Sequence, residues 1–168
     1  MPDLSPQERL QPALLDRLRD DHPDRQVESF REKVITEREL HESVVRDLEW
    51  LFGTGALPEG FDAEAYPETA RSVVNYGIPN LAGQALASGD TFDIERAVRE
   101  AILNFEPRIL PDSLDVQVRA DFSALNRNRL VIELHGQVWG IPVPLEFFLW
   151  TELDVETGEV HVSPDRRA

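Results

Sequence analysis

Residues 94–118 read IERAVREAILNFEPRILPDSLDVQV. Ile94, Ala97, Val98, Ala101, Ile102 and Phe105 fall at i, i+3, i+4, i+7, i+8 and i+11, the spacing of one face of a helix. Thr91 or Asp93 is placed to cap it. Glu106 stands before Pro107, and a residue in that position is pushed out of the α region, so the helix should stop near Phe105 or Glu106. Beyond Pro107 the period changes from 3.6 to 2. Leu114, Val116 and Val118 alternate with Asp115, Gln117 and Arg119, which predicts a half-buried strand.

Toward the C-terminus the alternation continues. Asn126-Arg127-Asn128 reads as a turn, and Leu130, Ile132 and Leu134 then alternate with Glu133 and His135. Leu145 to Leu153 reads as a third strand, apolar on both faces through Phe147, Phe148 and Trp150. Glu156-Thr157-Gly158 turns the chain into Val160 and Val162, a last short strand. Toward the N-terminus the pattern is helical. Thr36-Glu37-Arg38-Glu39 is a capping box. Leu40, Val44, Leu48, Leu51 and Phe52 follow as one stripe, flanked by Val45 and Trp50. Gly53 and Gly55 are placed to close that helix, and residues 53–66 read as a Gly- and Pro-rich loop. Tyr66-Pro67 opens a short helical turn, PETARSVV. Asn75-Tyr76-Gly77-Ile78-Pro79 breaks it, with a positive φ expected at Gly77. Helices first and then a meander of strands predict an α+β fold, N-terminal helices followed by a small, mostly antiparallel sheet.

Residues 1–35 form a charged, proline-spotted arm. Leu10, Leu14, Leu15 and Leu18 predict a short amphipathic helix around Gln11–Arg19, ended by Asp20, Asp21, Pro23 and Asp24. The expected organisation is this arm, one α+β domain over residues 36–163, and a mobile tail over 164–168. The whole chain is 168 residues, a length that favours one domain. Its 17 basic and 32 acidic residues give a net charge of −15. That balance disfavours nucleic-acid binding, which needs clustered Lys and Arg, and disfavours anionic membrane surfaces. There is no cysteine, which excludes disulfides, thiolate metal sites and cysteine nucleophiles. The N-terminus lacks the basic start and apolar run of a secretory signal. The longest uncharged stretch, Ser72–Gly89, contains Asn75, Pro79, Asn80 and Gln84, so membrane insertion is not expected. These features predict a cytoplasmic protein.

Candidate chemistry is sparse. His22, His41, His135 and His161 are scattered singly, without metal spacing. No nucleotide-binding or nucleophile-elbow motif is present, so no catalytic, cofactor or metal site is expected. Paired carboxylates of a peptidoglycan hydrolase could arise among so many acids, but their separation is not a sequence property. The unusual feature is Glu106-Pro107-Arg108 at the helix-to-strand junction. One reading is a helix stop flanked by two solvated charges. The other is a partner-binding corner, in which proline stiffens the backbone and arginine offers a planar fork of donors.

Five stretches carry a family resemblance: LLDRLRDD at Leu14–Asp21, VVRDLEWLFGT at Val44–Thr54, YPETARSVVNYGIPNLAG at Tyr66–Gly83, AVREAILNFEPRIL at Ala97–Leu110 and TELDVETGEV at Thr151–Val160. Together they make the chain resemble the gpW/gene-25-like family of contractile-tail baseplate wedge proteins, in its TssE branch, which serves type VI secretion. The resemblance implies a small α+β wedge fold and a structural rather than enzymatic role. It maps the family's Glu-Pro-Arg motif onto Glu106, Pro107 and Arg108 and implies contacts there with the wedge subunits TssF and TssG, and indirectly TssK. It further implies that the sheath subunits TssB and TssC add extended segments to the sheet, which starts sheath assembly on a baseplate docked at the inner membrane. A contractile phage tail or related injection particle is the neighbouring alternative, and a lysozyme-like hydrolase the alternative of another class.

Overall fold

The computed structural model describes residues 12–18, 23–24, 35–58, 60–81, 90–121, 129–140 and 143–163. The turn expected at Asn126-Arg127-Asn128, the tail 164–168, His22, and Leu10, Gln11 and Arg19 of the arm lie outside them.

Among the described residues four α-helices precede a four-stranded sheet: α1 Leu14–Leu18, α2 Glu37–Phe52, α3 Pro67–Ala70 and α4 Asp90–Phe105, then β1 Asp115–Asp121, β2 Arg129–Val138, β3 Leu145–Asp154 and β4 Val160–Ser163. The strands form an antiparallel meander in the order β1-β2-β3-β4. The α+β reading therefore holds, with every strand pair antiparallel.

α2 begins as its sequence predicts. Thr36 sits in an extended conformation, its hydroxyl accepts from the Glu39 amide, and the Glu39 carboxylate accepts from the Thr36 amide at 2.7 Å. Leu40, Val44, Leu48, Leu51 and Phe52 are all buried, each contributing on the order of 1.5–3 kcal/mol before entropy is charged against it. Gly53 closes the helix as expected, in a right-handed conformation with φ −77°. α4 starts at Asp90, ahead of both expected caps, which places Thr91 and Asp93 within its first turn. It ends at Phe105, where Pro107 dictates. In the arm, Leu14, Leu15 and Leu18 are exposed.

The two long helices cover one face of the sheet, α4 beneath β1 and α2 beneath β3 and β4. On that face Leu134 stands opposite Leu149, Ile132 opposite Thr151 and Leu130 opposite Leu153, all buried. The outer face pairs Glu133 with Trp150 and His135 with Phe148, which explains why β3 reads as apolar on both sides. The core is thus one layer of helices on one layer of sheet.

Between α2 and α4 the chain is stitched by backbone. Ala56 donates to the Ile78 carbonyl at 2.8 Å and Ile78 to the Thr54 carbonyl at 3.0 Å. Asn75 holds this loop to the turn of 3-10 helix Val73–Asn75, accepting from the Leu57 amide and donating to the Ala70 carbonyl. Gly77 has φ +127°, and a Cβ there would lie 2.3 Å from the Thr54 carbonyl oxygen. Replacement of Gly77 by alanine should therefore cost at least about 2 kcal/mol, since both the backbone angle and a fixed carbonyl oppose it; a shift of the urea midpoint at constant slope measures it.

The capping box gives a pH signature. The amide and hydroxyl of Thr36 hold the Glu39 carboxyl below its ordinary 4.5. A depressed folded-state value contributes stability that is complete above the ordinary value and is lost as pH falls through the lowered one. Thr36→Ala should cost about 1 kcal/mol at pH 7, and that gap should narrow below pH 4.5 when thermal unfolding of parent and variant is compared. An unchanged gap at low pH would assign the loss to helix propensity instead.

Candidate functional site

The helix-to-strand corner is pinned on both sides. At its start the Glu106 amide donates to the Ile102 carbonyl at 2.8 Å, the last turn of α4. At its end Ile109 bridges to Val138, with Trp139 donating to the Arg108 carbonyl at 2.7 Å and Leu110 to the Gln137 carbonyl at 2.8 Å. Pro107 projects into solvent between these anchors. The residues that predicted a break in period thus form a fixed bracket joining α4 to the end of β2.

Glu106 lies inside that bracket, only 3% exposed. Its carboxylate receives the Arg108 amide at 3.1 Å and the Arg108 Nε at 2.7 Å, and a second side-chain bond from Nη2 to its other oxygen. The guanidinium also donates from Nη1 to Ser43 Oγ at 3.0 Å and from Nη2 to Asp47 Oδ2. Ser43 in turn donates to the Leu40 carbonyl at 2.8 Å. Burial works to lower the Arg108 pKa, but Glu106 and Asp47 outweigh it and hold the guanidinium above its ordinary value. The reading of Glu106 and Arg108 as two solvated charges at a helix stop is thereby overturned, because the first is buried and the second is bonded on three sides.

The network extends past the corner. Asp47 Oδ1 accepts from Arg46 Nε at 3.0 Å and Nη2 at 2.9 Å. Arg46 reaches Asp16 of the arm, Nη1 to Oδ1 at 2.5 Å and Nη2 to Oδ2 at 3.2 Å, and lies 5.2 Å from the centroid of the exposed Trp50 ring. Its pKa is raised, the hydrogen bond with Asp16 being the main cause and burial opposing it. Tyr76 closes the other flank. Its hydroxyl donates to the Asp47 carbonyl at 3.4 Å and its ring meets Phe105 edge-on at 5.2 Å. Burial, then the charges of Asp47 and Glu106, push its pKa up. The result is an alternating chain, Asp16–Arg46–Asp47–Arg108–Glu106, running from arm to corner.

Ser43, Arg46, Asp47 and Tyr76 were not singled out by sequence. A signal for two of them exists. Ser43 and Asp47 occupy positions i+3 and i+7 from Leu40, within the stripe that Leu40, Val44 and Leu48 bury, and polar residues at core positions of a helix mark a function or a partner. Trp139, whose amide bonds the Arg108 carbonyl, is half exposed. Among the described histidines, His41 is half-buried while His135 and His161 are exposed. No group of three or more His, Cys, Asp and Glu among the described residues is arranged to hold a metal ion.

The burial of Glu106 makes its pairing measurable. Arg108→Gln strands a carboxylate away from water and should cost about 2–4 kcal/mol, below the figure for a fully buried pair because Arg108 retains some exposure. The double change Glu106→Gln with Arg108→Gln should cost less than Arg108→Gln alone, since no unmatched charge remains. Urea unfolding of the parent, the two single variants and the double variant decides it, and additive losses would show that the two side chains are energetically independent.

Residues 38–143, from α2 past β2, match the family model described as baseplate wedge protein gp25. The match takes in the corner together with Ser43, Arg46, Asp47 and Tyr76. A solved structure from Geobacter sulfurreducens, provisionally called a tail lysozyme, is similar, with a TM-score of 0.49 and 19% identity over 75% of this chain and 98% of that one. No curated protein matches the chain.

Proposed function

The chain belongs to the baseplate wedge protein gp25 family, and from that premise we propose that it is a TssE-type subunit of a type VI secretion baseplate. In this role residues 36–163 act as one wedge domain. The corner faces the wedge subunits TssF and TssG, with TssK reached through them, and the sheet receives extended segments of the sheath subunits TssB and TssC. The subunit works in the cytoplasm, in a baseplate docked at the inner membrane. The observation that carries the reading is the family match across the whole corner and its buried network.

Three features support it. At the corner, Pro107 and Trp139 are exposed and the Trp139 amide bonds the Arg108 carbonyl, on a backbone that is already fixed, so a partner pays little ordering entropy to engage it. In the sheet, the two edges differ. The Val118 amide of β1 donates to Glu95 of α4 at 2.9 Å, so that edge is partly occupied from within. On the other side β4 pairs only with Trp150–Leu153 of β3, and no described strand covers Leu145–Leu149. An uncovered strand length offers main-chain donors and acceptors to an added strand. Finally, Glu106 is the one carboxylate in the buried class among the described residues. Both of its oxygens are bonded to Arg108, which favours a structural over a catalytic role for it.

The absence of cysteine makes the test clean. Single cysteines at Trp139, Glu146 and Gln117, each exposed, can carry a benzophenone photo-crosslinker in the full-length protein mixed with purified TssF–TssG or TssB–TssC. Position 139 should capture TssF–TssG, position 146 should capture TssB–TssC, and position 117 on the β1 edge should capture neither. Sheath capture at 117, or no capture from 139 and 146, would remove the reading.

A further inference from the structure

Asp47 serves two arginines with separate oxygens. Oδ1 holds Arg46, which holds Asp16 of the arm, and Oδ2 holds Arg108, which holds Glu106. The links are direct, and the participating side chains are between 4% and 32% exposed, a setting in which charges are only partly screened. Among the described residues of the arm, Leu14, Leu15 and Leu18 stand in solvent. We infer that the arm and the corner are a single two-ended switch, in which loosening either end loosens the other through the shared carboxylate of Asp47. The inference rests on the reading of the corner as a partner-binding element.

The reasoning is competition for charge. When Asp16 leaves Arg46, that guanidinium has Asp47 as its remaining described acid and draws its carboxylate closer, so Asp47 serves Arg108 less well. When Arg108 is taken by a carboxylate or carbonyl of a partner, Asp47 is free to satisfy Arg46, and Asp16 loses its advantage. Linkage requires the effect to be equal in both directions. A wedge partner that captures Arg108 therefore releases α1 with its three exposed leucines. Conversely, a partner that takes up the arm makes Arg108 easier to engage. Assembly at one end would prepare the other, with no movement of the helix–sheet core.

The coupling can be read in the full-length protein without any partner, by nuclear magnetic resonance. Asp16→Asn should speed rotation of the Arg108 Nη groups at least about threefold, although Asp16 does not touch Arg108. Arg108→Gln should lower the order parameter of the Arg17 amide, which donates to the Ala13 carbonyl at 3.0 Å. The Leu48 amide, in the core of α2, should be unchanged in both and reports an intact fold. If Arg108→Gln disturbs Leu48, the milder Asp16→Asn arm decides alone. Effects confined to each variant's own end would overturn the switch. Coupling without any TssF–TssG capture at position 139 would leave the switch standing and remove only the partner assignment.

Discussion

A carboxylate taken out of water needs a cation beside it, and the Glu106–Arg108 pair supplies that match two residues apart in sequence. Pro107 makes so short a pairing feasible by turning the backbone between them. The pair then recruits the rest of the corner. Arg108 has donors left after serving Glu106, and these fix Ser43 and Asp47 on α2. Asp47 in turn orients Arg46 and, through it, the arm. A buried ion pair is seldom a net source of stability compared with apolar packing. Its value here is positional: it sets where α2, α4 and the end of β2 stand relative to one another.

The fold was largely legible because its periodicities are clean. The switch from helical to alternating spacing at Pro107, the capping box at Thr36–Glu39 and the positive φ of Gly77 all appear as read. Helix ends were less legible. Gly53 is a glycine in the expected place with an ordinary right-handed φ, because the helix is ended by the chain's need to pair Thr54 and Ala56 with Ile78. α4 likewise starts before its apparent caps. The site was half legible. Glu106, Pro107 and Arg108 stood out as an odd cluster of charge around a proline, but the α2 partners of Arg108 lie 61 and 65 residues away. No local pattern encodes that distance. The ionic contact between Asp16 of the arm and Arg46 was not legible for the same reason, since the two residues lie thirty positions apart.

The sheet shows a similar division between local and long-range causes. Alternation in β1, β2 and β3 determines which side chains face the helices. It does not determine which edge stays open. That is set by Glu95 reaching the Val118 amide on one side and by the shortness of β4 on the other. One polar side chain and one brief strand thus give the two borders of a symmetric-looking meander different capacities for further pairing.

The bridge between Ile109 and Val138 has a mechanical meaning. It joins the corner to the end of β2, the strand paired with β3 throughout and with β1 over Arg129–His135. Traction applied at Pro107 or Arg108 would not peel the chain away one hydrogen bond at a time. It would pass through the Trp139 and Leu110 amides into an interior strand and be shared as shear by two ladders at once. Load entering at this corner would thereby be carried by interior strands of the sheet as well as by the end of α4.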